Sequence, residues 1–173
     1  MIAYPGFSYT SGAPDAQPSS SAVETVGPET YAVMLKQTLT GGTLPGGWIQ
    51  EALDELDGIA KLGQDWDSYG ADPPSILAIV IASNLLLIVN KEFSRLAYEQ
   101  SCPQLVAPCA DGGIQIEWGT RPVEIAVHVD SSGTLGYLYT SWQGDIPKYK
   151  EVPSASWGEI LQLIVKVIFT ASR

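Results

Sequence analysis

The sequence predicts an α+β fold: an antiparallel meander of about four strands, helices packed on one face, and an irregular N-terminal arm outside. Three features of the chain point there. Apolar residues recur with a helical period from Trp48 to Leu62 and fill a helix-length run from Ile76 to Val89, switch to a period of two after Pro103, and return to the helical period after Pro153. The stretches separating the alternating segments are too short for a crossover, so neighbouring strands must run antiparallel. At 173 residues the chain suffices for one core, which assigns residues 29–173 to a single domain and 1–28 to the arm.

The arm is of low complexity, with Tyr4-Pro5-Gly6-Phe7, Ser11-Gly12-Ala13-Pro14 and Ser19-Ser20-Ser21. Such a composition cannot bury enough apolar surface to order itself. Tyr4, Phe7 and Tyr9 are its docking handles, either on its own domain or on a partner or second copy in a larger assembly. Glu29 to Leu39 is consistent with a short helix or an irregular start, and Gly41 to Gly47 breaks the chain. That glycine-rich loop lacks the Gly-Lys-Ser/Thr of a phosphate loop, so it is read as a connector.

Trp48 to Leu62 is a helix whose Ile49, Ala52, Leu53, Leu56, Ile59 and Ala60 share one face, with Glu51, Asp54, Glu55 and Asp57 outside. Then comes Asp65-Trp66-Asp67-Ser68-Tyr69-Gly70-Ala71-Asp72-Pro73-Pro74. Carboxylates at the first and third positions and glycine at the sixth have the order of a calcium loop. Tyr69 at the fifth position and Ile76 at the twelfth remove two required ligands. The stretch is therefore expected to be a structural loop in which Trp66 and Tyr69 tuck inward, Asp67 serves the turn and Gly70 takes a positive φ. Ser75 caps a second helix running to about Tyr98. The first part of that helix, Ile76 to Val89, is apolar on every side, so sheet and helices should cover it. At about 14 residues it falls short of the roughly 20 that a membrane span needs.

In the strand region Ile114, Ile116 and Trp118 alternate with Gln115 and Glu117, and Val123, Ile125, Val127 and Val129 alternate with Glu124, Ala126 and His128. Leu135 to Tyr139 is a third strand and Gln104 to Cys109 a fourth. Pro153 introduces the last helix, where Ser156-x-x-Glu159 has the form of a capping box.

Composition limits the function classes. A net charge of −10 opposes binding to nucleic acid, which depends on Lys and Arg neutralising phosphates. The same surplus suits solubility alone or a basic protein partner. Cys102 and Cys109 bracket an extended segment that would hold their Cα atoms roughly 23 Å apart, against about 6 Å in a disulfide. Two free thiols and no apolar leader point to the cytoplasm. The single histidine and two cysteines lack the paired spacings of a zinc site, so neither metal nor cofactor is expected.

Hairpin registers give a candidate surface. With Trp118 opposite Val123, Glu117 faces Glu124; with Asp130 opposite Gly133, Glu124 faces Tyr139, Ala126 faces Tyr137 and His128 faces Leu135. The face away from the core then carries Gln115, Glu117, Glu124, His128, Tyr137 and Tyr139. Facing carboxylates repel unless a cation lies between them, from Arg121, Lys148, Lys150 or a partner. Three readings follow: a solvated face, a protein-binding patch of tyrosines and carboxylates, or a small enzyme using a Glu117/Glu124 acid–base pair with His128.

The motifs Trp66-Asp67-Ser68-Tyr69-Gly70-Ala71 and Asp111-Gly112-Gly113-Ile114-Gln115-Ile116-Glu117-Trp118 resemble those of an uncharacterised family of small bacterial proteins. The likeness spans about residues 48–140. That family has no assigned catalysis, so no catalytic residue is carried over. It is similar to accessory genes of mobile elements, which implies an inhibitor or antitoxin-like role. Together these readings lead to a non-catalytic acidic protein that binds a basic partner, with the small enzyme as the alternative.

Overall fold

The computed structural model describes residues 47–93 and 98–171. The arm with Tyr4, Phe7 and Tyr9, and the segment Glu29–Leu39, lie outside these residues. Within them the order is α1 (Gly47–Ile59), α2 (Ile76–Phe93), the short α3 (Tyr98–Ser101), β1 (Leu105–Pro108), β2 (Ile114–Thr120), β3 (Val123–Val129), β4 (Leu135–Gln143), β5 (Ile146–Val152) and α4 (Trp157–Ala171). The strands form one antiparallel sheet in the order β1-β2-β3-β4-β5, the expected meander with one strand more. The extra strand is β5. It sits at an edge, where Ile146 and Tyr149 are exposed, so no alternating burial marks it in the sequence.

Among the described residues one sheet face is packed and the other is open. Ile114, Ile116 and Trp118 of β2 and Ile125, Val127 and Val129 of β3 are fully buried beneath the helices. They meet Ile49 and Leu56 of α1, Leu85, Leu86 and Val89 of α2, and Ile160, Ile164 and Ile168 of α4. Burying an aliphatic side chain of this size contributes roughly 1.5–3 kcal/mol, so this layer is the main source of stability. The Trp118 indole is enclosed as well, its Nε1 donating to the Ser101 carbonyl at 3.1 Å.

Among the described residues α2 is covered on one side, where its all-round apolar sequence leads one to expect cover on every side. Ala78, Ile79, Ala82, Leu85, Leu86 and Val89 are buried, whereas Ile76 and Leu77 are 46% and 44% exposed. By length and composition this helix is apolar enough to cross a membrane, and 44% of it is buried inside the fold. Its buried Ser83 returns its hydroxyl to the Ile79 carbonyl at 2.8 Å, the one-turn-back bond that satisfies a serine inside a helix.

The stretch Asp65–Pro74 is a structural clasp, as expected, but its aromatics divide. Trp66 is half-buried and donates through Nε1 to the Asp72 carbonyl at 3.1 Å. Tyr69 is 93% exposed, which corrects its inward placement. The carboxylates are occupied by the turn: Asp67 Oδ1 accepts from the amides of Tyr69 and Ala71 at 2.8 and 3.1 Å, and Asp65 Oδ1 from that of Gly70 at 2.7 Å. Gly70 has the expected positive φ of 92°. The clasp closes on the β1–β2 turn through Asp72 N to Ala110 O, 2.9 Å, and Ser75 N to Gly112 O, 2.8 Å. The two motifs separated in sequence thus lie against each other.

Candidate functional site

The hairpin loops decide what the open face carries. At the first, Thr120 pairs with Val123, so Glu117 faces Ala126 and Glu124 faces Gly119. The offset from the expected pairing is two residues, which preserves the faces. Glu117 and Glu124 remain on one side as diagonal neighbours rather than opposite one another.

The second loop differs by one residue, and one residue exchanges the faces. Val129 pairs with Leu135 and His128 with Gly136, while the Asp130 amide donates to the Thr134 carbonyl at 3.0 Å. The cause is local. The Asp130 carboxylate accepts from the amides of Ser132 and Thr134, both at 2.8 Å, and from the Ser132 hydroxyl at 2.6 Å. These bonds, the Ser132 hydroxyl first, hold the Asp130 carboxyl below its ordinary pKa. Gly133 completes the loop at φ 85°, and a Cβ there would lie 2.6 Å from Ile81 Cδ1 of α2. The loop therefore contains three residues, where pairing of Asp130 with Gly133 would leave two.

Tyr137 and Tyr139 consequently point to the helix side, which corrects their assignment to the open face. Tyr137 is 3% exposed, and its hydroxyl donates to Glu159 Oε1 at 2.7 Å. Lys166 lies 4.8 Å above the Tyr139 ring. The helix start is altered in turn: Ser156 Oγ accepts from the Glu159 amide at 3.2 Å, but the Glu159 carboxylate goes to Tyr137 and Lys150 rather than back to Ser156. Half of the capping box is formed. The Tyr137 bond, followed by Lys150, keeps the Glu159 carboxyl below its ordinary pKa.

What remains on the open face is acidic and concave. A trough of about 750 Å³ runs along it, lined by Gln115, Glu117, Ala126, His128, Leu138 and Glu151 among others, with Cys109 and Asp111 at one end. A smaller recess of about 120 Å³ lies beside it, between Glu117, Glu124, Gln104 and Thr140. No Lys or Arg lines the trough among the described residues. The cations considered as neutralisers serve elsewhere. Arg121 pairs with Asp145 at 3.3 Å and lies over Trp142. Lys148 and Lys150 alternate onto the helix side, opposite Ser141 and Tyr139. Burial first, and then the Glu117 charge, push the Glu124 carboxyl above its ordinary pKa, while Arg121 partly opposes the shift.

At the end of the trough lies a group that linear spacing does not reveal. Cys109 and Asp111 occupy the β1–β2 turn, and His128 reaches them from β3. Their donor atoms all lie within 4.8 Å of one another, with Asp111 Oδ2 3.3 Å from His128 Nε2. Burial, then the Asp111 charge, push the Cys109 thiol up to about 11. Neither cysteine is in a disulfide. The only advance signal was the Cys-x-Asp order before the first long strand, which is too common to stand alone.

Comparison with protein-family models, curated proteins and solved structures finds no match.

Proposed function

We propose that this is an acidic interaction protein whose open sheet face receives a cationic segment of a protein partner. The observation that carries the reading is the trough itself, a concave surface bearing Glu117, Glu151 and Asp111 that no Lys or Arg lines among the described residues. Glu124 adds a further carboxylate beside it. Exposed Leu138 and Leu105 supply apolar contact at its floor and margin, and Tyr149 does so on β5. Charge of one sign in a concavity steers an oppositely charged ligand and excludes acidic ones. An inhibitory or antitoxin-like role belongs to this class where the target presents a basic surface for the trough to mask.

The test is affinity capture with the wild-type chain and with the double variant Glu117→Lys, Glu124→Lys, followed by mass spectrometry. The wild type should retain a basic protein, and the double variant should lose it while keeping its amide spectrum. Reversing two charges that face cations costs several kcal/mol of binding. Capture should also weaken as salt is raised. Equal capture by the two proteins would remove this surface from consideration.

A further inference from the structure

We propose that Cys109, Asp111 and His128 form a binding site for a divalent ion of the zinc class, at the end of the open-face trough. The donor set is the first ground. A thiol sulfur, a carboxylate oxygen and an imidazole nitrogen are the ligand types that zinc takes, whereas calcium and magnesium take oxygen alone. The thiolate and carboxylate forms would together neutralise the charge of the ion.

Geometry is the second ground. A tetrahedral zinc with such ligands has donor–donor edges of roughly 3.3–3.8 Å. The Asp111 Oδ2 to His128 Nε2 separation of 3.3 Å is already an edge of that length. The remaining separations, within 4.8 Å, close by rotamer adjustment of about 1 Å.

The third ground is that the backbone around the cluster is held while its side chains stay reachable. The turn is closed by Cys109 N to Gly113 O at 2.9 Å and Gly112 N to Cys109 O at 3.0 Å, and the clasp grips it from behind through Ala110 and Gly112. Asp111 Oδ1 accepts the Gly113 amide at 3.0 Å, which leaves Oδ2 turned to His128. This is the supporting hydrogen bond that orients a ligating carboxylate. Gly113 also makes the approach feasible, since a Cβ there would stand 2.7 Å from His128 Nε2 and 2.9 Å from Asp111 Oδ1. Three protein ligands leave a fourth position facing the trough, open to water or to a partner's side chain.

The full chain, stripped with chelator, is titrated with Co²⁺ in an absorption experiment and with Zn²⁺ by calorimetry. One equivalent should bind, and Co²⁺ should give the charge-transfer absorption of a thiolate ligand. Cys109→Ser should abolish that absorption, and Asp111→Asn and His128→Ala should each weaken Zn²⁺ by at least about tenfold. Cys102→Ser, whose thiol lies outside the cluster, should bind as the wild type does. Amide spectra of each variant separate lost ligation from lost folding. Binding that survives Cys109→Ser with cobalt absorption intact, binding that falls equally with Cys102→Ser, or no binding by the wild type would each overturn the site.

Discussion

Glu124→Gln is expected to stabilise the free protein while weakening the binding function assigned to its surface. Glu124 and Glu117 sit on one face, a diagonal apart, and among the described residues only Arg121 partly offsets their charge. Diagonal neighbours on adjacent strands are about 7–8 Å apart, where two like charges in a water-like medium repel by roughly 0.5 kcal/mol. Glu124 is half-buried, and the desolvation of its charge acts in the same direction. The substitution should therefore add about 0.5 kcal/mol at pH 7, or roughly 1–3 °C in Tm for a domain of this size. The sign of the pH dependence follows from the raised pKa. Favourable protonation of folded Glu124 is fully present below the unfolded carboxyl value near 4.3, and it is lost as pH rises through the higher folded value. The advantage of Glu124→Gln must then grow across the carboxylate range and level off by neutral pH. Urea denaturation of both proteins between pH 3.5 and 7 measures it. In a Glu117→Gln background the gain should shrink, because the repulsive partner is gone. A variant less stable than wild type at pH 7, or a gain that ignores pH, would refute the reasoning.

Tyr137→Phe should leave capture of a cationic partner unchanged, since the hydroxyl faces the helices, and should return the Glu159 carboxyl toward its ordinary pKa. Because that pKa is depressed in the wild type, the associated stability is present above the unfolded value and lost as pH falls through the folded one; the acid limb of a stability–pH profile should flatten in the variant. Asp67→Ala removes the acceptor of two turn amides and should cost about 1–2 kcal/mol in urea denaturation, whereas Tyr69→Ala, at a 93% exposed side chain, should change stability by less than about 0.5 kcal/mol. Trp118→Phe should cost about 1–3 kcal/mol, because it opens a gap in the fully buried layer and deletes the indole bond to the Ser101 carbonyl.

Apolar patterning by itself marked α1, α2, α4 and the inner strands β2 to β4, because a buried face imposes its own repeat on the residues that fill it, and the short stretches between the strands made them antiparallel. It also placed Glu117, Glu124 and His128 together on the uncovered side, since an error of two residues in the first hairpin leaves parity intact. Strand β5 had no such signature, because an edge strand with Ile146 and Tyr149 in solvent buries too little to alternate. The tyrosines turned on one residue in a loop. Only the folded loop showed that the Asp130 carboxylate organises three residues instead of two, and that single step sent Tyr137 and Tyr139 under the helices. The clasp was legible as a turn, but its grip on the β1–β2 turn is a pair of backbone bonds that no side-chain pattern encodes. The meeting of Cys109, Asp111 and His128 likewise required tertiary structure. Strand pairing carries His128 to the foot of the turn, and the missing Cβ of Gly113 lets the three donors converge.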